Sequence, residues 1–183
     1  DMARIIHTFD NPQRFIAGTV GVPGERTFFL QARKGSRLLS VSLEKAQVAA
    51  LADRIQQILR EVRNSEPLTL FERVERDDQP LESPIDEEFR VGVIGIAYLS
   101  DRKMVEIDLQ AIADSQSPED EELLMELSES QDILRVLIPL GYAESFAKRA
   151  IAVVGAGRAP CPFCGGPIDP GGHLCPRSNG YRR

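Results

Sequence analysis

One pattern of residues occurs twice in this chain, and it limits the available folds more than any other feature. Phe15-x-x-Gly18-x-Val20-Gly21-Val22 returns as Phe89-x-x-Gly92-x-Ile94-Gly95-Ile96. After a turn, each copy continues with a basic residue leading an extended stretch: Arg26 to Gln31 in the first, Lys103 to Asp108 in the second. Leu39-x-Val41-x-Leu43 then leads into Gln47-x-x-x-Leu51-Ala52-x-Arg54. Its counterpart, Leu134-x-Val136-x-Ile138, leads into Tyr142-x-x-x-Phe146-Ala147-x-Arg149. Apolar residues at every second position signal strands, and the change to spacings of three and four signals a helix. Each half therefore reads strand, strand, strand, helix. A unit of that kind cannot bury both its sheet face and its helix stripe alone, so the halves must pack together. The expectation is an internally duplicated α+β fold with a mostly antiparallel sheet and two main helices.

Local signals place the elements. Arg4–Phe9 reads as a strand ahead of the repeat, closed by Asp10-Asn11-Pro12, and strands follow over 14–22, 26–33 and 37–41. Ser42 is the expected N-cap of a helix running from Leu43 to about Arg63, with Glu44 near its positive end. Residues 64–85 are charged and carry Pro67, Pro80 and Pro84, which reads as a long mobile connection with an ordered piece around Leu68–Phe71. In the second half, Ser117–Ser130 is an insertion with Ser117 as cap and Pro118 at the first helical position. The paired glycines, 18 with 92 and 21 with 95, either mark bulges and close backbone approaches or line a ligand pocket between the halves. With Met2 taken as the natural start, residues 2–158 form the duplicated domain (halves 2–65 and 86–157, connection 66–85), and 159–183 form a separate tail.

The formal charge of −6 argues against a surface that wraps nucleic acid. Acids concentrate in 72–90 and in Glu119-Asp120-Glu121-Glu122, which read as solvated loops and a helix start. No apolar run reaches the roughly 18 residues of a membrane span, and no basic-then-apolar leader opens the chain. A cytoplasmic location without membrane contact follows as the expectation.

Chemistry concentrates in the tail. Cys161-Pro162-Phe163-Cys164 is followed by Gly165-Gly166 and, six residues later, by His173-Leu174-Cys175. A Cys-x-x-Cys closed by glycine forms a tight turn whose amides face the thiolates, and Cys161, Cys164, His173 and Cys175 make a Cys3His set suited to a closed, structural zinc ion, Zn2+. Zinc would also supply the folding free energy of so short a segment. His-x-Cys is a tighter step than Cys-x-x-Cys, which leaves one position open to water or to a ligand from elsewhere. The rival reading of Cys-Pro-Phe-Cys is redox chemistry, which wants the first cysteine at a helix N-terminus. Gly165, Gly166, Pro167 and Pro170 oppose a helix there. Arg177, Arg182 and Arg183, with Tyr181, then offer a grip for phosphate, RNA or an acidic protein, or form a basic terminus resting on the acidic body. His7 reads as an ordinary strand residue.

Arg14-Phe15-x-Ala17-Gly18-Thr19-Val20-Gly21, the stretch Thr27 to Arg33, and the tail from Cys161 to Arg183 resemble the DUF3090 family of actinobacterial proteins. The resemblance covers essentially the whole chain and departs around Ile138–Tyr142, where a more polar helix entry is expected. It implies no transferable activity. Through the company the family keeps, one set of neighbours phosphatase- or mutase-like and another kinase-like, it hints at a phosphorylated substrate or partner.

Two functions compete. The first is a non-catalytic binding or adaptor protein, contacting a partner protein or RNA through its zinc-bearing tail. The second is an enzyme acting on a phosphorylated small molecule in a cleft between the halves, with Arg33, Arg90, Glu106 and Asp108 as candidate groups. No nucleophile–base pair or phosphate loop is visible for it. A tail that merely staples the body is the third, simplest account.

Overall fold

The computed structural model describes residues 4–22, 24–112 and 131–156. The insertion at 117–130 and the whole tail from 157, with Cys161, Cys164, His173, Cys175, Arg177, Arg182 and Arg183, lie outside the described residues.

The described chain is α+β. Its strands are β1 (Ile6–Asp10), β2 (Arg14–Val20), β3 (Thr27–Lys34), β4 (Arg37–Leu43), β5 (Glu87–Leu99), β6 (Met104–Ala111) and β7 (Ile133–Pro139). The helices are α1 (Lys45–Ser65), after β4, and α2 (Leu140–Gly155), after β7. All seven strands join one sheet in the order β1-β7-β6-β5-β4-β3-β2. Two antiparallel meanders, β2-β3-β4 and β5-β6-β7, meet at the parallel pair β4/β5, and β1 adds in parallel to β7. The order strand, strand, strand, helix therefore recurs, with β1 outside it.

Short links force this sheet to curl. In a flat sheet, six steps of about 4.8 Å would part the edge strands by about 29 Å. Yet β1 and β2, at opposite edges, are joined by Asn11–Gln13, a link that reaches about 14 Å at most. The amide of Asn11 accordingly donates to Leu137 O of β7 (2.8 Å), and that of Gln13 to Arg33 O of β3 (2.9 Å).

The core is continuous. Phe15 and Ala17 of β2, Phe28, Leu30 and Ala32 of β3, Leu39, Val41 and Leu43 of β4, and Val105, Ile107 and Leu109 of β6 share one cluster with the helices. Helix α1 contributes Val48, Leu51, Ala52, Ile55, Ile58, Leu59 and Val62, the three-and-four spacing of an amphipathic stripe. Each fully buried Leu, Ile or Phe of such a cluster contributes about 1.5–3 kcal/mol relative to exposure. The helices pack against each other, and each also reaches the opening strand of the other half, α1 on β5 and α2 on β2. Phe15 of β2 stacks on Phe146 of α2, ring centroids 4.6 Å apart.

Two local expectations are corrected. Ser42 does not cap α1; it belongs to β4, buried, with its hydroxyl on Glu87. The N-cap is Glu44, in a reciprocal box with Gln47: the Glu44 amide donates to the Gln47 side chain (2.7 Å), and the Glu44 carboxylate accepts from the Gln47 amide. A pairing strand held Ser42 in extended conformation and moved the cap two residues on. Nor does the connection after α1 hang free. Without regular secondary structure, it is tied to the body from Glu66 to Glu82, as described next.

Candidate functional site

The connection forms a strap along α2. It leaves α1 where Glu66 pairs with Lys103, whose ammonium holds the Glu66 carboxyl below its ordinary range. Arg63 lies 3.9 Å over the Phe71 ring. The backbone of Glu72 crosses Gly141 so closely that a Cβ there would meet Glu72 O at 1.9 Å. One turn further, Ser145 Oγ donates to Glu75 O (3.0 Å). The next turn carries Arg149, only 7% exposed, whose Nη1 donates to Asp77 O and Gln79 O (both 2.6 Å) and whose Nε donates to Ala17 O of β2 (2.7 Å). Residues 141, 145 and 149 repeat at four-residue intervals and so form one row on the helix.

From there the strap rounds the edge of the sheet. Arg14 grips it, Nε to Asp77 Oδ2 (2.6 Å) and Nη2 to Asp77 Oδ1 and to Gln79 O (both 3.0 Å). That guanidinium holds the Asp77 carboxyl below the usual carboxylate range, and Asp77 in turn raises Arg14. Leu81 then lies on Gly18, and the buried Gln31 meets the Glu82 backbone twice, Nε2 to Glu82 O (2.9 Å) and Glu82 N to Oε1 (2.8 Å). The outward edge of β2 is closed as well: the Phe15 amide donates to the Tyr142 hydroxyl (2.7 Å), which donates to Phe15 O (3.2 Å). Blocked in this way, β2 offers no free edge for strand addition there.

The repeated glycines have separate structural uses. Gly18 leaves room for Leu81, Gly21 has φ +105°, and Gly92 sits at a register shift with Ile112 backbone 3.0 Å from its missing Cβ. None of the four lines a cleft described below.

Two clefts occupy matching places in the two halves. The first, about 310 Å3, lies at the start of α1 and is lined by Arg26, Thr27, Glu44, Lys45 and Arg90 among others. Arg26 leads into β3, stands 5.1 Å over the Phe28 ring, and reaches Val153 O in the last turn of α2 (3.4 Å). Arg90, from β5, pairs with the Glu44 carboxylate. Three cations against one carboxylate leave a formal +2, and the positive end of a 21-residue helix adds to it. The second cleft, about 290 Å3, lies at the start of α2 and contains Arg102, Lys103, Gly141 and the strap residues Leu70 and Glu72. There the cations are matched: Arg102 chelates Asp10 (2.9 and 3.0 Å) and Lys103 pairs with Glu66. A shallow third hollow flanks Leu68 and Leu70, which are 94% and 90% exposed.

Of the candidate groups read from the sequence, only Arg90 reaches the first cleft. Arg33 is bound by Glu82 (2.8 Å) and Gln13 (3.0 Å). Glu106 and Asp108 flank Arg135 on the other face of β6 and β7, Asp108 in a two-point pair (2.9 and 3.0 Å) that raises the Arg135 guanidinium. They form no common site. Arg26 and Lys45, absent from that list, do line the cleft. A basic residue at the head of each matching strand, Arg26 and Lys103, was the signal for the two clefts. His7 is part-buried on β1, 3.8 Å from Asp132. Among the described residues there is no group of three or more His, Cys, Asp or Glu placed to hold a metal, and no helix is long and apolar enough to cross a membrane.

No curated protein and no solved structure matches the chain. Residues 7–175, from the first strand through the last cysteine, match the family described as protein of unknown function DUF3090, and the chain belongs to that family.

Proposed function

We propose that this is a binding or adaptor protein whose C-terminal tail and basic cleft together receive an acidic segment of a partner protein. The observation that carries the reading is the contact of Arg26 with Val153 O: α2 ends at the rim of the cleft of Arg26, Lys45 and Arg90, and the tail follows α2 directly in sequence. Arg177, Arg182 and Arg183 extend the same positive character. A short acidic segment fits better than RNA, because its charge can be confined to this corner, whereas an RNA backbone is negative along its whole length and would also meet a body whose chain carries a net −6.

The tail is assigned a structural zinc ion on Cys161, Cys164, His173 and Cys175. Three thiolates and an imidazole match the donor preference of zinc, and a closed site supplies folding free energy rather than a reactive water. A reducing, cytoplasmic setting belongs to the same proposal, since it keeps the cysteines available to metal. The recurring element order and the matching clefts support descent of the two halves from one duplicated unit.

Metal analysis of untagged protein and of Cys164→Ser tests the tail: one zinc per chain, lost in the variant, is expected. Affinity capture with the full chain tests the partner. An acidic protein retained by the native chain and lost with Arg26→Glu plus Arg90→Glu is expected. Recovery of RNA alone, or capture indifferent to both substitutions, would overturn the reading.

The enzyme alternative, on a phosphorylated small molecule, is favoured by one observation, the grouping of Arg26, Thr27, Lys45 and Arg90 around a small cleft that spans both halves. It requires turnover of a phosphorylated compound that Arg90→Ala abolishes.

A further inference from the structure

Among the described residues, the strap on α2 has no counterpart on α1. The repeat aligns Gln47 with Tyr142, so Gly141, Ser145 and Arg149 correspond to Ala46, Ala50 and Arg54. The first three lie under the strap; the second three are exposed, and among the described residues Arg54 pairs with Glu61 at 4.0 Å. The approaches match as well. Helix α1 ends at Glu66, against Lys103 at the head of β6 and beside the start of α2, and from there the strap sets off along α2. Helix α2 ends against Arg26, ahead of β3 and beside the start of α1, and from there the chain continues into residues 157–183.

We propose that the segment following α2, residues 157–183, docks along the exposed row of α1 as a second strap, entering through the cleft of Arg26, Lys45 and Arg90. Arg54 takes the place of Arg149 and donates to backbone carbonyls of that segment, an interaction that needs no particular side chain in it. Ala46 carries a methyl group where Gly141 has none, so the second strap stands off from the helix by about one methyl layer. The inference does not rest on the tail binding zinc or on any partner.

A photo-crosslinking residue at the position of Ala50, in the full chain, tests it, with the same residue at the position of Val93 as reference. Val93 is 63% exposed on β5, away from the row. Mixing isotope-labelled and unlabelled chains separates products within a chain from those between chains. Docking predicts cross-links within a chain from position 50 to residues 157–183, at about tenfold the yield from position 93, above the tether effect alone. Equal yields from the two positions, products only between chains, or products from position 50 to other segments only would overturn it.

Discussion

Helices α1 and α2 turn the same kind of apolar stripe toward the core and pack side by side, yet their outer faces have opposite fates. On α2 the outer row is Gly141, Ser145 and Arg149, covered by a connection whose carbonyls accept from Ser145 and Arg149 and whose backbone fits the gap over Gly141. On α1 the outer row is Ala46, Ala50 and Arg54, in solvent among the described residues. The core-facing sides are dictated by hydrophobic burial, which tolerates exchange among residues of similar shape. The outer sides are dictated by which segment of chain is led across them. A buried guanidinium on two of its carbonyls and a backbone crossing over glycine are specific to that one segment, and neither survives on a face left open to water.

The largest effect that would sharpen this contrast is at the two arginines. Arg149→Met removes the buried donor to Ala17 O, Asp77 O and Gln79 O, and should destabilise the chain by about 3–5 kcal/mol, whereas Arg54→Met should cost under about 1 kcal/mol. Urea unfolding of both variants measures it, and equal losses would break the contrast. Next in size, Gly141→Ala drives a methyl group into the Glu72 backbone and should cost about 3 kcal/mol, while Ala46→Ser stays within about 0.5 kcal/mol.

A smaller effect tests the strap where it rounds the sheet. At Gly18 a new Cβ meets Leu81 Cγ at 2.6 Å, a side chain that can turn aside, so Gly18→Ala should cost about 1–2 kcal/mol. Leu81→Ala in the same chain should recover part of that cost, and strictly additive losses in the double-mutant cycle would show that the two do not touch.

The strap should also respond to acid. Arg14 depresses the Asp77 carboxyl in the folded state. A depressed folded-state pKa contributes stability that is complete above the unfolded value of about 3.9 and is lost as pH falls through the lower, folded value. Asp77→Asn should therefore lower stability by about 1–2 kcal/mol at pH 7, with the gap to the native chain closing as pH falls below about 4. Thermal unfolding of both across that range is the check; a gap independent of pH would mean that the ion pair contributes nothing. The smallest effect is at the strap's exposed leucines: Leu68→Ser should change unfolding by no more than about 0.5 kcal/mol, because that side chain is already in water.

Much of this was legible beforehand because short-range chemistry decides it. Period-two runs at Phe28-x-Leu30-x-Ala32 and Val105-x-Ile107-x-Leu109 turn one face to the core, and they formed β3 and β6. The stripe Leu51, Ile55, Ile58 and Leu59 formed the buried side of α1. What failed was decided at longer range. Ser42 has good capping chemistry, but β4 continues through it because both β3 and β5 pair there. Residues 66–86 look unstructured because their polar groups bond to Arg14, Gln31, Ser145 and Arg149, none of them near in sequence. Of the candidate site, Arg90 was legible; Arg26 and Lys45 came from other strands and a helix start, and only folding set the three around one cleft.

By itself, then, the sequence determined the alternation of strands and helices, the side of each that faces the core, and membership of the DUF3090 family, because these follow from spacing and residue type. The tertiary structure alone decided the order of strands, the curl that brings β1 and β2 from opposite edges, the strap's path over α2 and the gathering of cations at the start of α1. The physical reason is that burial is satisfied by many arrangements of the same stripes. Backbone carbonyls, buried guanidinium groups and short links accept only one.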